Sequence, residues 1–363
     1  MSKSKRKKAA PTARKAPPRA LAAIFVAALL FPLVLFFAAE GLIALLLSNP
    51  RLIPDGYPLN LLRYYHANFE RDVIQFSRDC ARYDPDLFYT LKPGVCQFAN
   101  REFSVTYRIN SLGVRDSEAA LVDPEIAVLG DSQAMGWAVT QEETYAAVLG
   151  QMTGKKVLNA GVSSYGTVRE MIMLGRISPA RLKYVIIQYS ENDYDENRVF
   201  LDNRRRFRIS PEEKYEAVRR FHMDNTKYYP GKHVVTLIKI MISPDITISD
   251  ADPVAYHPDE AEVFLRVLQA APVDLRGRQI MVFEANPYGA NARPFLEKLS
   301  QEAGKSIYPA YIRNLIVLDL SRELNTGNYL RLDDHITAAG HRLIATRLAE
   351  TIKKAENDSH RHR

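Results

Sequence analysis

Three textures of hydrophobic and polar residues follow one another along the chain. Positions 20–39 form a run of twenty residues without a charge, built from Leu, Ile, Val, Phe and Ala, and the apolar character resumes after Glu40 as far as Leu47. At about 1.5 Å of rise per residue, such a helix spans about 30 Å, the thickness of a bilayer core. Pro32 lies inside the run, where a membrane helix tolerates it better than a soluble one. The pattern therefore predicts one N-terminal transmembrane helix over 20–47. Residues 48–120 lack helical periodicity, and β-like pieces such as Phe103–Ile109 stand among Pro, Gly and Asp. This segment reads as an extension packed on the main domain. From 121 short apolar, β-branched runs recur at Ile126–Leu129, 157–158, 184–188, 280–283 and 315–318, each followed by a loop and a helical stretch. Uninterrupted apolar strands are expected where helices cover both faces of a sheet, and strand–helix alternation makes that sheet parallel. The expected fold is a three-layer α/β domain over 121–355 with a parallel five-stranded sheet. The interval 196–275 is too long for one crossover. It holds helix candidates at 211–222 and 258–271 and is expected to form a lid near the carboxyl ends of the strands. A last helix over about 337–355 precedes a polar tail, 356–363, expected to be disordered.

Charge sharpens the first texture. The chain has 363 residues, 47% of them hydrophobic and 25% charged, which excludes a disordered chain and a collagen-like repeat. Its net charge of +7 has a local origin: eight of the 49 basic residues lie in the first 19 positions, with no acid among them. Without them 41 basic residues face 42 acidic ones, so the body carries no nucleic-acid footprint. A basic flank on one side of an apolar run stays in the cytoplasm and sends the chain from about residue 50 across the membrane, giving a single-pass type II protein. A cleaved signal peptide has a shorter apolar core, of about 7–15 residues. The two cysteines, Cys80 and Cys96, fall in the exported part. An even count there predicts a disulfide, worth roughly 3 kcal/mol for a loop of about this length.

In open parallel sheets the reacting groups gather in loops after the carboxyl ends of the strands. The first such loop is Gly130-Asp131-Ser132-Gln133, which places a serine at a strand-to-helix turn. The second, 159–166, contains Gly161, whose N–H has no side chain in the way. The third, 190–193, offers the Asn192 amide, a fixed neutral donor suited to an oxyanion. The last holds Asp333, Asp334 and His335. A histidine with a carboxylate two residues before it can be oriented as a base toward the serine. Among eight histidines only His335 has both the position and the carboxylate. Trp137 reads as core, Arg115 as part of a structural turn, and both the acidic stretch 193–196 and the Arg204–Arg208 cluster as solvated surface.

Serine, glycine, asparagine and histidine in that order, after strands one, two, three and five, resemble the SGNH (GDSL-type) hydrolases, a family of esterases and acyltransferases. The resemblance covers about 121–355 and rests on Gly130-Asp131-Ser132 with Gly136, on Gly161, on Asn192-Asp193, and on Asp333 with His335. The third block commonly begins with Gly where this chain has Ser190. The last is often Asp-x-x-His, whereas Leu332 lies three before His335; a two-residue spacing also occurs in membrane-anchored members. The resemblance implies a flavodoxin-like three-layer fold. It makes Ser132 the nucleophile, His335 the general base and Asp333 the orienting acid, with Asp334 as the alternative. Ser132 N–H, Gly161 N–H and the Asn192 side chain would form the oxyanion hole. It implies no metal or organic cofactor, and it places the protein in a bacterial inner membrane with its catalytic domain in the periplasm. The substrate class it implies is an O-acylated glycan or other ester. The alternatives are an O-acyltransferase served by a polysaccharide-export or acyl-donor partner, and a non-catalytic glycan-binding or assembly subunit that keeps the fold.

Overall fold

In the computed structural model, which describes residues 18–246, 248, 256–285 and 293–361, the apolar run forms one continuous helix. This helix, α1 (Pro18–Ser48), exposes its large side chains from Ile24 to Phe37, apart from the half-buried Phe36. Among the described residues it is the one helix long and apolar enough to cross a membrane. A second helix, α2 (Tyr57–Tyr65), opens the extension and ends in a π-helical turn over His66–Glu70. No periodicity announces α2, because it buries only Leu59, Leu62 and Tyr65 among interleaved polar and aromatic positions. Two antiparallel hairpins follow, β1 (Ala81–Asp84) with β2 (Phe88–Leu91) and β3 (Gly94–Asn100) with β4 (Phe103–Ile109). Residues along β4 alternate between buried and exposed, as a strand with one wet face must. Cys80 and Cys96 are bonded to each other and tie the two hairpins together.

The main sheet is built from β5 (Ile126–Leu129), β6 (Val157–Asn159), β7 (Tyr184–Tyr189), β8 (Gln279–Glu284) and β9 (Ile316–Val317), all parallel, in the order β6-β5-β7-β8-β9. The strands are bounded within two residues of the apolar runs in the sequence. Their helices are α3 (Ser132–Met135), α4 (Tyr145–Thr153), α5 (Thr167–Leu174), α6 (Asp193–Asp202), α7 (Glu212–Thr226), α8 (Lys232–Ile242), α9 (Glu260–Gln269), α10 (Phe295–Ala303), α11 (Ala310–Arg313) and α12 (Ala338–Arg361). Ile126, Val128, Ile186, Met281 and Phe283 pack under α4 and α12, while Ala127, Leu129, Val185, Ile187 and Val282 pack under α5, α9 and α10. Each strand is thus apolar throughout because successive side chains enter two different cores. The strand order reverses at β5, and the crevice this opens lies above its carboxyl end.

The described residues of the insert expected as a lid, 196–246, 248 and 256–275, pack on the rest of the chain. Tyr215 of α7 packs against Phe76 and Phe88 of the extension, with ring centroids 5.8 and 5.7 Å apart, and its hydroxyl donates to Gln75 O at 2.9 Å. Leu237 and Ile240 of α8 join Leu47, Ile53, Leu59 and Leu62 in one cluster. The insert bridges the α/β unit to the extension and to α1, because its apolar faces match theirs. At the C-terminus α12 runs through 356–361, and residues 362–363 of the tail expected to be disordered lie outside the described residues.

Candidate active site

Ser132 begins the single turn α3 immediately after β5. Gly130 stands at φ +144°, and a Cβ there would lie 2.7 Å from both Ala134 Cβ and Gln188 Oε1, so only glycine lets the chain turn this sharply above the sheet. Asp131 caps the turn: its carboxylate accepts Gln133 N–H at 2.8 Å and the Ser190 hydroxyl at 2.8 Å. Behind α3 the fully buried Arg115 donates to the carbonyls of Met135, Gly136 and Val139, which makes it a structural brace.

The Ser132 hydroxyl lies 2.7 Å from His335 Nε2, and His335 Nδ1 lies 2.5 Å from Asp333 Oδ1. Hydrogen bonding to the carboxylate places the ring proton on Nδ1 and leaves Nε2 as the acceptor for the serine proton. Asp334 is 3.8 Å from Nδ1 with its side chain 76% exposed, so the buried Asp333 is the carboxylate that holds the ring. Asp333 has two further donors that the sequence did not announce: Trp137 Nε1 at 2.9 Å and Arg71 at 2.9 Å. Burial alone would raise the Asp333 carboxyl, but His335, Arg71 and Trp137 outweigh it and hold it far below the usual carboxylate range. Trp137 is buried as expected of a core residue, yet its ring also stacks on the imidazole, centroids 4.7 Å apart at 14°. His66 Nε2 lies 4.0 Å from Asp333 Oδ2, delivered with Arg71 by the π-helical turn after α2.

The loop carrying these groups is fixed from the extension. Glu102, in the turn between β3 and β4, accepts the N–H groups of Arg331, Leu332 and Asp333 at 2.8–2.9 Å. Arg331 in turn reaches the carbonyls of Pro50 and Ile53, and Arg63 donates to Arg331 O at 2.7 Å. Gln133, next to the serine, accepts Ile336 N–H at 3.0 Å. Two loops distant in sequence are thereby held in register.

The other two loops border the crevice. The Gly161 N–H, expected in the oxyanion hole, donates to Asn159 Oδ1 at 3.1 Å. Its lack of a side chain serves packing, since a Cβ would lie 2.6 Å from Met135 N. The exposed residue of that loop is Ser164, at φ +58°, and its N–H has no partner among the described residues. Gln75 of the extension holds the loop through Ser163 and Ser164 at 3.0 and 3.1 Å. Asn192 is exposed at the start of α6, its amide likewise unpartnered among the described residues, as is Ser132 N–H. The acidic stretch that follows Asn192 is only partly solvated. Asp193 is buried and accepts the Thr167 hydroxyl at 2.8 Å, and Glu196 pairs with Arg169. Burial pushes the Asp193 carboxyl and that of the neighbouring Glu170 well above the ordinary carboxyl range. Arg204, Arg205, Arg206 and Arg208 are exposed.

Asp333, Asp334 and His335 bring their ligand atoms within 4.8 Å of one another. The Arg71 guanidinium already bonds both carboxylates, and Asp333 already bonds the imidazole, so the charge at this point is answered by protein groups.

No family model and no curated protein matches the chain. Solved structures do resemble it. A carbohydrate esterase family 2 enzyme with a carbohydrate-binding domain from Corynascus thermopiles (Myceliophthora fergusii) is 12% identical over 64% of this chain and 66% of its own, with a TM-score of 0.37. A member of the lipolytic G-D-S-L family from Veillonella parvula DSM 2008 is 12% identical over 62% of this chain and 96% of its own, with a TM-score of 0.31. The salicylyl-acyltransferase SsfX3 from a tetracycline biosynthetic pathway is 12% identical over 67% of this chain and 56% of its own, with a TM-score of 0.34. At identities and TM-scores this low, the functional reading rests on the distances within the site.

Proposed function

We propose that this chain is a membrane-anchored serine esterase of the SGNH type. The observation that carries the reading is the relay from Ser132 Oγ to His335 Nε2 at 2.7 Å and from His335 Nδ1 to Asp333 at 2.5 Å, at the carboxyl edge of a parallel sheet. In the reaction, Ser132 Oγ attacks the carbonyl carbon of an ester while His335 Nε2 takes its proton. The imidazolium that forms is stabilised by the ionised Asp333. Ser132 N–H, the Asn192 amide and a donor of the loop at 159–166, expected from Gly161, receive the developing oxyanion. Collapse of the intermediate breaks the ester C–O bond, and the alcohol leaves with the proton from His335. Water, activated by the same histidine, then releases the acid and regenerates Ser132.

Ser132, Ser164, Asn192 and Asp334 all reach solvent, and this open, polar rim suits a polar ester such as an O-acylated glycan. An open site also admits water as the acceptor, which favours hydrolysis over transfer to a sugar hydroxyl. The basic residues before 20 keep the N-terminus in the cytoplasm, so the catalytic unit faces the periplasm. The test is fluorophosphonate labelling of the full chain in membranes. The parent should be labelled, and Ser132→Ala and His335→Ala should each abolish labelling. A well-folded parent that resists the probe would turn the reading toward a binding subunit that keeps the fold.

A further inference from the structure

Helix α8 carries two apolar stripes, and the rest of the described chain covers one of them. Leu237 and Ile240 are buried in the cluster with Leu47, Ile53 and Tyr65. On another side Ile238, Met241 and Ile242, spaced i, i+3 and i+4, are 51%, 60% and 74% exposed. After Lys232, Lys239 is the only residue of the helix with a permanent charge. A helix apolar on two sides is not stable against water on one of them.

Helix α1 indicates what covers the second stripe. A Cβ on Gly231, just before α8, would lie 2.8 Å from Phe36 Cζ. Glu40, the one charge in the apolar stretch of α1, is buried here and accepts the N–H groups of His233 and Val234 at 3.3 and 2.9 Å. It thereby satisfies two donors that a helix start leaves orphaned. From that point the two helices stay together as far as Leu47. The stretch Ala22–Ser48 has 27 residues. Its length of about 40 Å exceeds the hydrocarbon core of about 30 Å but matches the bilayer with its headgroup layers, about 40–45 Å. About one turn at each end therefore sits in the interfacial layer, on the domain's side the last turn of α1, where Leu45 is exposed. Leu237 and Ile240 share a cluster with Leu47, so the carboxyl half of α8 sits at the same depth. Tyr228 and Tyr229, both exposed just before α8, are of the type enriched at membrane–water interfaces.

We infer that α8 is an interfacial membrane helix whose Ile238–Met241–Ile242 stripe seats in the headgroup–acyl boundary beside α1. The partner is the lipid surface itself. The inference rests on the membrane reading of α1 made above. Two helices in the same leaflet fix the tilt of the domain, where a single span would leave it free to swing. Because Leu332, next to Asp333, belongs to the same cluster as Leu47 and Leu237, the relay is held at a set height over the lipid.

The test adds one tryptophan at a time to the full chain in phosphatidylcholine–phosphatidylglycerol vesicles, with the emission of the parent's Trp137 subtracted. Thermal melts check that each variant folds. Ile242→Trp reports α8, Phe31→Trp reports the middle of α1, and Val122→Trp reports an exposed site before the amino end of β5. With acyl chains brominated near the headgroup, Ile242→Trp should be blue-shifted and lose emission, while Val122→Trp should show neither. Chains brominated near the bilayer centre should quench Phe31→Trp. If Phe31→Trp is quenched and Ile242→Trp behaves like Val122→Trp, the inference is overturned and the anchor stands. If neither is quenched, the anchor reading falls and takes the inference with it.

Discussion

Asp333 and Asp334 differ by one position in the chain, yet a buried and an exposed carboxylate have different tasks. Asp333 accepts from an imidazole, an indole and a guanidinium, whereas Asp334 touches Arg71 at 3.4 Å from solvent. Replacing Asp333 by Asn would present an amide to Nδ1 and favour the wrong imidazole tautomer, so kcat should fall by about 10⁴-fold. Asp334→Asn should stay within about threefold of the parent, since an exposed ion pair is worth under about 1 kcal/mol. Ester-hydrolysis kinetics on the two variants separate the roles. A second residue-scale effect belongs to His341, whose Nδ1 accepts Tyr145 N–H at 3.2 Å inside the core. Burial, with Arg115 and His335 nearby, lowers its pKa from 6.5 to about 3. The unfolded chain binds this proton more readily, so stability is complete above pH 6.5 and is lost as the pH falls toward 3, by an amount on the order of a few kcal/mol. Urea midpoints measured from pH 7 to pH 4 should fall less steeply in His341→Gln than in the parent.

At the scale of elements, the turn between β3 and β4 acts on chemistry more than two hundred residues away. Glu102 takes three consecutive N–H groups of the loop that carries Asp333, and each such charge-assisted bond is worth about 1.5–3 kcal/mol. Glu102→Ala should lower kcat by about 10–100-fold through misplacement of Asp333 and His335, with KM little changed, because Glu102 has no place at the rim. Glu102→Gln should recover part of the loss by keeping the acceptor oxygen; steady-state kinetics of the pair would show a positioning role. This contact also marks where reading the sequence stops. The five sheet strands were legible because burial on both faces writes an unbroken apolar run into the chain. Ser132, Asn192, Asp333 and His335 were legible because a parallel sheet collects its strand-end loops. Arg71, His66, Glu102 and the hydrogen bond of Trp137 were not, because each acts through docking of one segment on another and leaves no spacing to detect. Gly161 is a related case: a glycine needed for close approach to α3 looks, in sequence, like one needed for an open N–H.

At the scale of the molecule, helices α7 and α8 of the insert form a strut between the α/β unit, the extension and α1. The Cys80–Cys96 bond stiffens the extension at the level of its hairpins, where Tyr89 donates to Ser163 O at 2.8 Å and Tyr107 to Trp137 O. The segment after α1 continues this chain of support through Pro50 and Ile53 to Arg331. One consequence concerns modularity. An α/β unit cut out at residue 121, as its strand pattern invites, would carry Ser132, Asn192, Asp333 and His335 intact. It would lack Glu102 and Arg71, leaving three backbone donors unanswered and an acid held by two partners instead of three. Such a unit is transplantable as a scaffold but not as a catalyst, so recombination that moved the fold alone would move a silent relay.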